Sequence, residues 1–200
     1  MAIKQVVQIG NPILLERCEE VYDYSSKETL QIVGDLVDTL RSFGDKLIGI
    51  SAPQIGYNKR IFVTEISDQP HRNKHELDNL RIYINPKIVD HSEEYIVLYE
   101  GCGSIADSII LGPVNRPRII TLKAFDLSAK EFTISCNGIL SRVIQHEQDH
   151  LDGVLFIKRM NDILELVSES YYRENIHNLI SLKEGRKVTF KELTYKNDVS

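Results

Sequence analysis

The stretch IQHEQDHLDG (144–153) holds two histidines four positions apart, with a glutamate directly after the first. On an α-helix, residues four apart lie on one face, about 6 Å from each other, so His146 and His150 can direct two imidazoles at one ion. Glu147 then lies beside that ion, within reach of a water molecule. We predict that this stretch belongs to the central helix of the fold, from about Gly138 to Leu151.

The other predicted elements surround this helix without β-α-β alternation. An earlier helix is predicted from Ser25, which has capping-box spacing with Glu28, to Gly44. A polar loop at 67–80 separates the first two of five predicted strands, and a helix and a short strand are predicted beyond the central helix. The strands are predicted at 60–66, 81–89, 94–100, 118–125 and 131–136, and the last helix and strand at about 161–181 and 187–193.

This order predicts one α+β domain over residues 1–200, with antiparallel or mixed sheets packed around the central helix. The chain has 200 residues, of which 42% are hydrophobic and 26% charged, as in ordinary globular proteins. A net charge of −5 gives no reason to expect binding to nucleic acid. Apolar runs stay well short of the ~20 residues that span a bilayer, so no membrane association is expected.

The N-terminus and the cysteines predict a cytoplasmic protein. MAIKQVVQIGNP (1–12) lacks both the apolar core of a secretory signal and the arginine-rich face of a transit peptide. Cys18, Cys102 and Cys136 are an odd number of cysteines and lie far apart, which disfavours a disulfide framework. Thiols that stay reduced remain available to a metal.

Two imidazoles do not complete a catalytic metal site, which needs about three protein ligands and one open position. Phe156 stands where a metzincin has its third histidine, which excludes that class. Glu165 or Glu169 on the next predicted helix would make a thermolysin-like zinc endopeptidase. Cys102, between two glycines at the end of a predicted strand, is the other candidate, although a lone cysteine is also a common small core residue.

Three segments together resemble the signature motifs of the peptide deformylase family, in the family's order and with similar gaps. They are GISAPQIG (49–56), EGCGS (100–104) and QHEQDHLDG (145–153). IGNPILLERCEEV (9–21) and VNRP (114–117) also resemble family segments, so the resemblance covers about residues 1–158. The family removes the formyl group from the N-terminal methionine of newly made proteins. The resemblance therefore implies N-formylmethionyl nascent peptides as partners, which such an enzyme can meet at the ribosome.

Carried over residue by residue, the resemblance implies a role for six positions. Glu147 becomes the general acid and base, and Gln54 with the backbone N–H of Gly103 becomes the pair of donors to the oxyanion. The implied metal ligands are Cys102, His146 and His150. A water on the ion is acidified to a pKa of about 7, so hydroxide is available to attack the formyl carbon. Fe(II) is the metal expected in the cell, with Zn(II), Ni(II) or Co(II) able to substitute.

An apolar pocket for the methionine side chain is predicted beside the ion. Val143 lies three residues before His146 on the same helical face, and Ile139 lies a further turn back. Ile48 and Leu98 flank the first two motifs, and the alternative is that all these side chains are simply core. The predicted substrate-binding residues are Ile48, Gly49, Leu98, Ile139 and Val143. Glu100 and Arg116 are predicted to pair and brace the cysteine loop.

The sequence departs from the family pattern at three positions in and beside the motifs. Leu47 stands where the family has a glycine, Ser51 where it has an alanine, and Gly103 where it has a leucine. We expect an altered loop at Leu47 and a wider, more mobile mouth at Gly103. The ligands, the base and the glutamine are all retained. The alternatives are a catalytically weak deformylase-like binding protein and the zinc endopeptidase described above.

Overall fold

The structure is a computed structural model that describes residues 2–44, 46–68 and 77–196. These described residues form nine strands. They are β1 (Gly49–Ser51), β2 (Ile61–Ile66), β3 (Asp78–His91), β4 (Tyr95–Gly101), β5 (Ile110–Pro117), β6 (Ile120–Phe125), β7 (Glu131–Cys136), β8 (Val167–Ser168) and β9 (Lys191–Tyr195). The helices are α1 (Lys27–Ser42), α2 (Gly138–Leu151), α3 (Glu169–Tyr171) and α4 (Ile180–Arg186).

The strands form two sheets, and every pair of neighbouring described strands is antiparallel. The larger sheet has six strands in the order β1-β2-β3-β6-β7-β9, and the smaller has three in the order β4-β5-β8. Alternating burial along β6 and β7 shows that one face of the larger sheet covers the core while the other faces outward. The predicted single α+β domain is confirmed.

Helix α2 lies at the centre, because 13 of its 14 residues are buried. Its apolar side chains, among them Leu140 and Ile144, pack against Phe62, Tyr83 and Phe132 from the larger sheet. The polar side chains on its other faces are equally enclosed, so each needs a partner inside the protein. The predicted span of 138–151 is confirmed for this helix.

Most predicted strands and the first helix are confirmed with small shifts at their ends. The cap of α1 is wrong by one residue: Ser26 accepts a hydrogen bond from the Thr29 N–H, while the Ser25 hydroxyl donates to Asp23. Strand β9 begins at Lys191 rather than at residue 187. Strands β1, β5 and β8 were not predicted. Residues 69–76, which fall within the predicted loop at 67–80, lie outside the described residues.

The predicted helix at 161–181 is wrong. Ile163–Glu165 forms a single 3-10 turn, Val167–Ser168 forms β8 and pairs with β5, and helical structure resumes only at Glu169. A π-helical turn over Tyr172–Ile176 follows α3 directly. The 3.6-residue apolar pattern was overridden because residues 167 and 168 pair with a distant strand.

Candidate metal centre

Helix α2 carries His146 and His150 on one face, as their spacing predicts. The centroids of the two rings are 5.0 Å apart, and the rings meet edge to face. His150 is 1% exposed and His146 is 8% exposed, so both imidazoles are removed from bulk water.

Cys102 directly follows β4, which carries the thiol to the two histidines. Its Sγ lies 3.2 Å from His150 Nε2, and Cys102 is itself buried. The potential ligand atoms of Cys102, His146 and His150 all lie within 4.8 Å of one another. Throughout the described parts of the chain, this is the one group of three or more histidine, cysteine, aspartate or glutamate side chains within range of a common ion.

A carboxylate orients one of the two imidazoles. Glu100 Oε2 lies 2.9 Å from His146 Nδ1, which leaves His146 Nε2 for the cysteine side of the site. A carboxylate on the far nitrogen of a metal-binding histidine is the usual arrangement in metal sites, because it fixes the ring and raises its basicity. One thiol and two oriented imidazoles therefore fit a divalent transition metal.

Glu100 is also the centre of a buried ionic network. It accepts two hydrogen bonds from Arg116, at 2.7 and 2.9 Å, and a third from Arg142 at 2.9 Å. Burial alone would raise the pKa of Glu100, but Arg116 outweighs it and holds that pKa well below its usual range. Arg116 also binds Asp149 on α2 at 2.6 Å. The predicted pairing of Glu100 with Arg116 is confirmed, and it links the cysteine strand to the histidine helix.

Glu147 is enclosed in the site with one oxygen unsatisfied. It is 2% exposed, and its Oε2 has no hydrogen-bond partner among the described residues. Burial raises the pKa of Glu147 to about 7. A carboxylate whose pKa is close to neutral is suited to taking and returning a proton.

Gln54 lies in a 3-10 turn, Ala52–Ile55, and its side-chain amide is held in one orientation. Gln54 Oε1 accepts hydrogen bonds from both the backbone N–H and the hydroxyl of Ser51, each at 2.9 Å. The amide nitrogen consequently points at the metal centre, 3.5 Å from Cys102 Sγ. Ser51, which replaces the usual alanine of the family motif, thus fixes the direction of the donor.

The predicted site residues other than His150 line one cavity of about 260 Å³. Its wall includes the cysteine, one histidine, the glutamate and the glutamine, together with every residue predicted for substrate binding. The latter are Ile48, Gly49, Leu98, Ile139 and Val143. The lack of a side chain at Gly49 lets β1 pack closely against α2, because a Cβ there would lie 2.6 Å from Val143 Cγ2 and 2.8 Å from Glu147 Oε1.

Leu47 and Gly103, two of the departures from the family pattern, are neighbours in space. Leu47 Cδ1 is 3.3 Å from the position of a Cβ on Gly103, and both residues line the cavity. Leu47 does not have a positive φ, so no left-handed strain accompanies the leucine. The mouth at Gly103 is therefore covered in part by the side chain of Leu47.

Neither alternative third ligand, Glu165 or Glu169, lies within range of an ion shared with the two histidines. Glu165 is exposed at the end of a 3-10 turn. Glu169 lines the outer cavity but pairs with Arg173, four residues further on. Cys102 is the residue that lies with the two histidines in the group that could hold an ion.

Sequence reasoning did not single out Arg142 or the C-terminal part of the cavity wall. Arg142 lies four residues before His146 on α2, so the spacing on its own helix was an available signal. Tyr172, His177 and Arg186 also line the cavity, but their contribution depends on how the chain returns after α2.

Comparison with known proteins shows the family. The family model described as Polypeptide deformylase matches residues 3–165. A peptide deformylase of Desulforudis audaxviator is 37% identical over 164 residues, covering 82% of this chain and 97% of the relative. One from Natranaerobius thermophilus is 34% identical over 163 residues, covering 82% of this chain and 96% of the relative. The chain belongs to the polypeptide deformylase family.

Solved deformylase structures share the fold. The class I type b enzyme of Acinetobacter baumannii, solved with Met-Ala-Ser bound, superposes with a TM-score of 0.73 at 27% identity, covering 80% of this chain and 99% of that one. The enzyme of Synechococcus elongatus, solved with actinonin, gives a TM-score of 0.69 at 30% identity over 80% of each chain. Deformylases are metal-dependent amidohydrolases that remove N-formyl groups from nascent peptides, and the possible metal-binding triad of this chain agrees with that dependence.

Proposed function

We propose that this chain hydrolyses the formyl group of N-formylmethionyl peptides with one divalent ion held by Cys102, His146 and His150. The observation that carries the proposal is the convergence of one thiol and two imidazoles within 4.8 Å, beside a buried glutamate. We propose Fe(II) as the ion in the cell and Zn(II), Ni(II) or Co(II) as substitutes, since a sulfur and two nitrogens suit all four. When bound, the ion supplies Lewis acidity, which lowers the pKa of a water molecule and polarises the formyl carbonyl.

Glu147 is proposed to move the proton. Its unsatisfied Oε2 takes a proton from the water whose oxygen attacks the formyl carbon. The tetrahedral intermediate then collapses with cleavage of the C–N bond, and Glu147 delivers the proton to the departing amine nitrogen. The products are formate and a peptide with a free N-terminal methionine.

Gln54 and Gly103 are proposed to stabilise the oxyanion. The amide nitrogen of Gln54 points into the site because Ser51 occupies its oxygen. The backbone N–H of Gly103 supplies the second donor, next to Cys102. Each such donor contributes about 3 kcal/mol to the stability of the transition state.

The apolar wall of the cavity is proposed to bind the methionine side chain. Ile48, Leu98, Ile139 and Val143 present aliphatic groups to the space next to the catalytic residues, and Gly49 adds no side chain to it. The Met-Ala-Ser tripeptide bound to the Acinetobacter baumannii relative supports this substrate class.

We further propose that residues 1–200 act as one catalytic domain on nascent chains at the ribosome, in the cytoplasm. Pairing of β9 with β7 supports the inclusion of the C-terminus in that domain. Cys18, Cys102 and Cys136 are all free thiols, which supports a reducing compartment. Among the described residues, no helix is both long enough and apolar enough to cross a membrane.

The test is hydrolysis of formyl-Met-Ala-Ser by protein purified without oxygen and loaded with Fe(II), Ni(II), Co(II) or Zn(II). Formate release and bound metal are measured for the wild type and for Cys102→Ser. We expect the variant to lose tight metal binding and turnover, whereas Cys136→Ser, a buried cysteine outside the cavity, keeps both. The proposal fails if the wild type releases no formate with any of the four metals.

The endopeptidase alternative is tested with the same protein. Glu165→Ala and Glu169→Ala are expected to keep the metal, because neither carboxylate approaches the histidines. Loss of metal in either variant, or cleavage of casein by the wild type, would favour the endopeptidase.

A further inference from the structure

The outer part of the cavity wall comes from a segment that the family match does not include. The match ends at residue 165. Five cavity-lining residues lie beyond that point, namely Glu169, Tyr172, Arg173, His177 and Arg186. The cavity wall is therefore completed by a C-terminal segment that lies outside the family match, residues 167–186.

The C-terminal segment is fixed to the rest of the fold at both of its ends. At the start, Ser168 pairs with Ile110 in the smaller sheet. At the end, the carbonyl oxygen of Arg186 lies only 2.8 Å from the position of a Cβ on Gly138, the first residue of α2. Gly138 has a φ of +65°, so both this angle and the close approach require glycine. The segment therefore runs between the smaller sheet and the start of the central helix.

The segment contacts the cavity at the end away from the metal centre. Leu98 lies four residues before Cys102 on an extended strand, a distance of about 13 Å. Ile139 lies seven residues before His146, two helical turns or about 10 Å. The segment packs against Leu98 through Tyr172 and Leu182, and it approaches α2 next to Ile139. It thus closes the far end of the proposed methionine pocket.

Tyr172 contributes an aromatic ring to this end of the cavity, and several contacts hold that ring in place. It is 8% exposed, and its ring centroid lies 5.3 Å from that of Tyr99 and 5.7 Å from that of His177. The π-helical turn, closed by a 2.8 Å hydrogen bond from the His177 N–H to the Tyr172 carbonyl, brings these two rings together. Arg186 hydrogen-bonds the Tyr172 hydroxyl and also lies 2.9 Å from His177. Single π-helical turns occur frequently at functional sites.

We propose that Tyr172 sets the length of the first substrate side chain that the cavity accepts. This inference rests on the proposed function, because it assigns the far end of the same pocket. A side chain longer than methionine would have to displace the Tyr172 ring, which is held against Tyr99 and His177. Tyr172 is thus a specificity-determining residue contributed by the C-terminal segment.

The experiment compares two substrates on four proteins. The substrates are formyl-Met-Ala-Ser and an analogue whose first residue has a straight hexyl side chain. The proteins are the wild type, Tyr172→Ala, Tyr172→Phe and the matched control Tyr171→Ala, whose tyrosine is 53% exposed and outside the cavity wall. Bound metal and the unfolding midpoint are measured for each.

We expect the wild type to prefer the methionine substrate in kcat/KM. Tyr172→Ala is expected to reduce that preference by at least about tenfold, mainly through KM, since a few methylene groups in a pocket have effects of this size. Tyr172→Phe should keep the preference because it keeps the ring. Tyr171→Ala should leave kcat/KM unchanged for both substrates. An unchanged preference in folded, metal-loaded Tyr172→Ala would overturn the inference.

A second variant and a second readout keep the test decisive. If Tyr172→Ala does not fold, Tyr172→Leu keeps an apolar group in the cluster while it shortens the side chain, and the preference should move in the same direction. Binding of the two deformylated product peptides to Zn(II)-loaded protein, measured by calorimetry, should show the same change in selectivity. A wild type that is inactive on formyl-Met-Ala-Ser refutes the proposed function, whereas an active wild type with an unmoved preference in both variants refutes this inference alone.

Discussion

The side chain of Leu47 lies against Gly103, with Cδ1 3.3 Å from the position that a Cβ on Gly103 would take. In the family pattern the glycine and the leucine stand at the opposite positions. One leucine is therefore present beside the site in both arrangements, and here it comes from the loop before β1 instead of the loop after Cys102.

This exchange predicts coupled effects of substitution. Gly103→Leu should lower kcat/KM by about tenfold, because an isobutyl group has to displace the Leu47 side chain. The double variant Leu47→Gly/Gly103→Leu should recover most of the loss. Measuring kcat/KM for the wild type, both single variants and the double variant gives the coupling, which we expect to be about 1 kcal/mol. Strictly additive effects would show that the two positions are independent.

Glu147→Gln should retain the metal and lose turnover. The amide preserves the shape of the side chain but cannot take a proton, so kcat is expected to fall by about 10²- to 10⁴-fold. Metal content, measured on the purified variant, should equal that of the wild type because Glu147 is not in the triad. A variant that keeps more than a tenth of wild-type kcat would remove Glu147 from its proposed role.

Glu100→Gln should weaken metal binding and the fold together. The substitution leaves Arg116 and Arg142 buried beside a neutral group, at a cost of about 3–5 kcal/mol, and deprives His146 of its carboxylate. Metal affinity is expected to fall by about 10- to 100-fold. Competition with a chelator measures the affinity, and urea unfolding measures the stability.

The matched control for Glu100 is Glu94→Gln. Glu94 pairs with Arg118 at the surface, where both side chains are substantially exposed. Loss of such a pair should change the free energy of unfolding by less than about 1 kcal/mol and leave metal affinity unaltered. Equal effects of the two substitutions would contradict the importance of the buried network.

Gly49→Ala should disturb Glu147 on α2 from the neighbouring strand β1. The added Cβ would lie 2.6 Å from Val143 Cγ2 and 2.8 Å from Glu147 Oε1, so helix and strand must separate. We expect a loss of about 1–3 kcal/mol of stability and a lower kcat. Adding Val143→Ala should recover stability but not kcat, since the contact with Glu147 remains; recovery of both would assign the defect to Val143 alone.

Ionisation of the Asp35 carboxyl group should make the free energy of unfolding depend on pH. It is fully buried in α1 and accepts hydrogen bonds from the Ala2 N–H, Gln31 and Tyr57. Burial by itself would raise the pKa of Asp35, but these hydrogen bonds outweigh it and lower the pKa. Its stabilising effect is therefore fully present above an unfolded-state pKa of about 4 and is lost as the pH falls through the lower folded-state value.

Asp35→Asn should therefore cost about 1–3 kcal/mol at neutral pH, and the difference from wild type should shrink as the pH falls below about 4. Urea unfolding across this range measures the effect. Asp38→Asn, on the same helix but only half buried, should change stability by less than about 0.5 kcal/mol. A difference between wild type and Asp35→Asn that grows on acidification would contradict the assignment.

The parts of the site that were predictable from sequence are those fixed by short-range geometry. His146, Glu147 and His150 share one helix, so their relative placement follows from the helical repeat. The thiol of Cys102 lies 44 positions before His146, and only the resemblance of three motifs connected it to the helix. The placement of Arg142, four residues before His146, could have been inferred from the same helical repeat.

The C-terminal region was mispredicted because its structure depends on distant partners. Residues 161–181 have an apolar period typical of a helix, but Val167 and Ser168 pair with Leu111 and Ile110. No local pattern specifies that pairing. The placement of Tyr172 at the cavity depends in turn on this pairing and on the approach of Arg186 to Gly138, so sequence alone could not assign it.

The hydrogen bonds of Glu100 have a consequence for how the protein handles loss of its ion. Arg116, Arg142 and His146 are held by that carboxylate through contacts to which an ion contributes nothing. Because these residues are already ordered without the ion, little of the chain has to become ordered when the metal binds. The entropic cost of metal binding is therefore small. Stripping the ion should therefore leave a folded apoprotein that regains activity on simple addition of metal, without a refolding step.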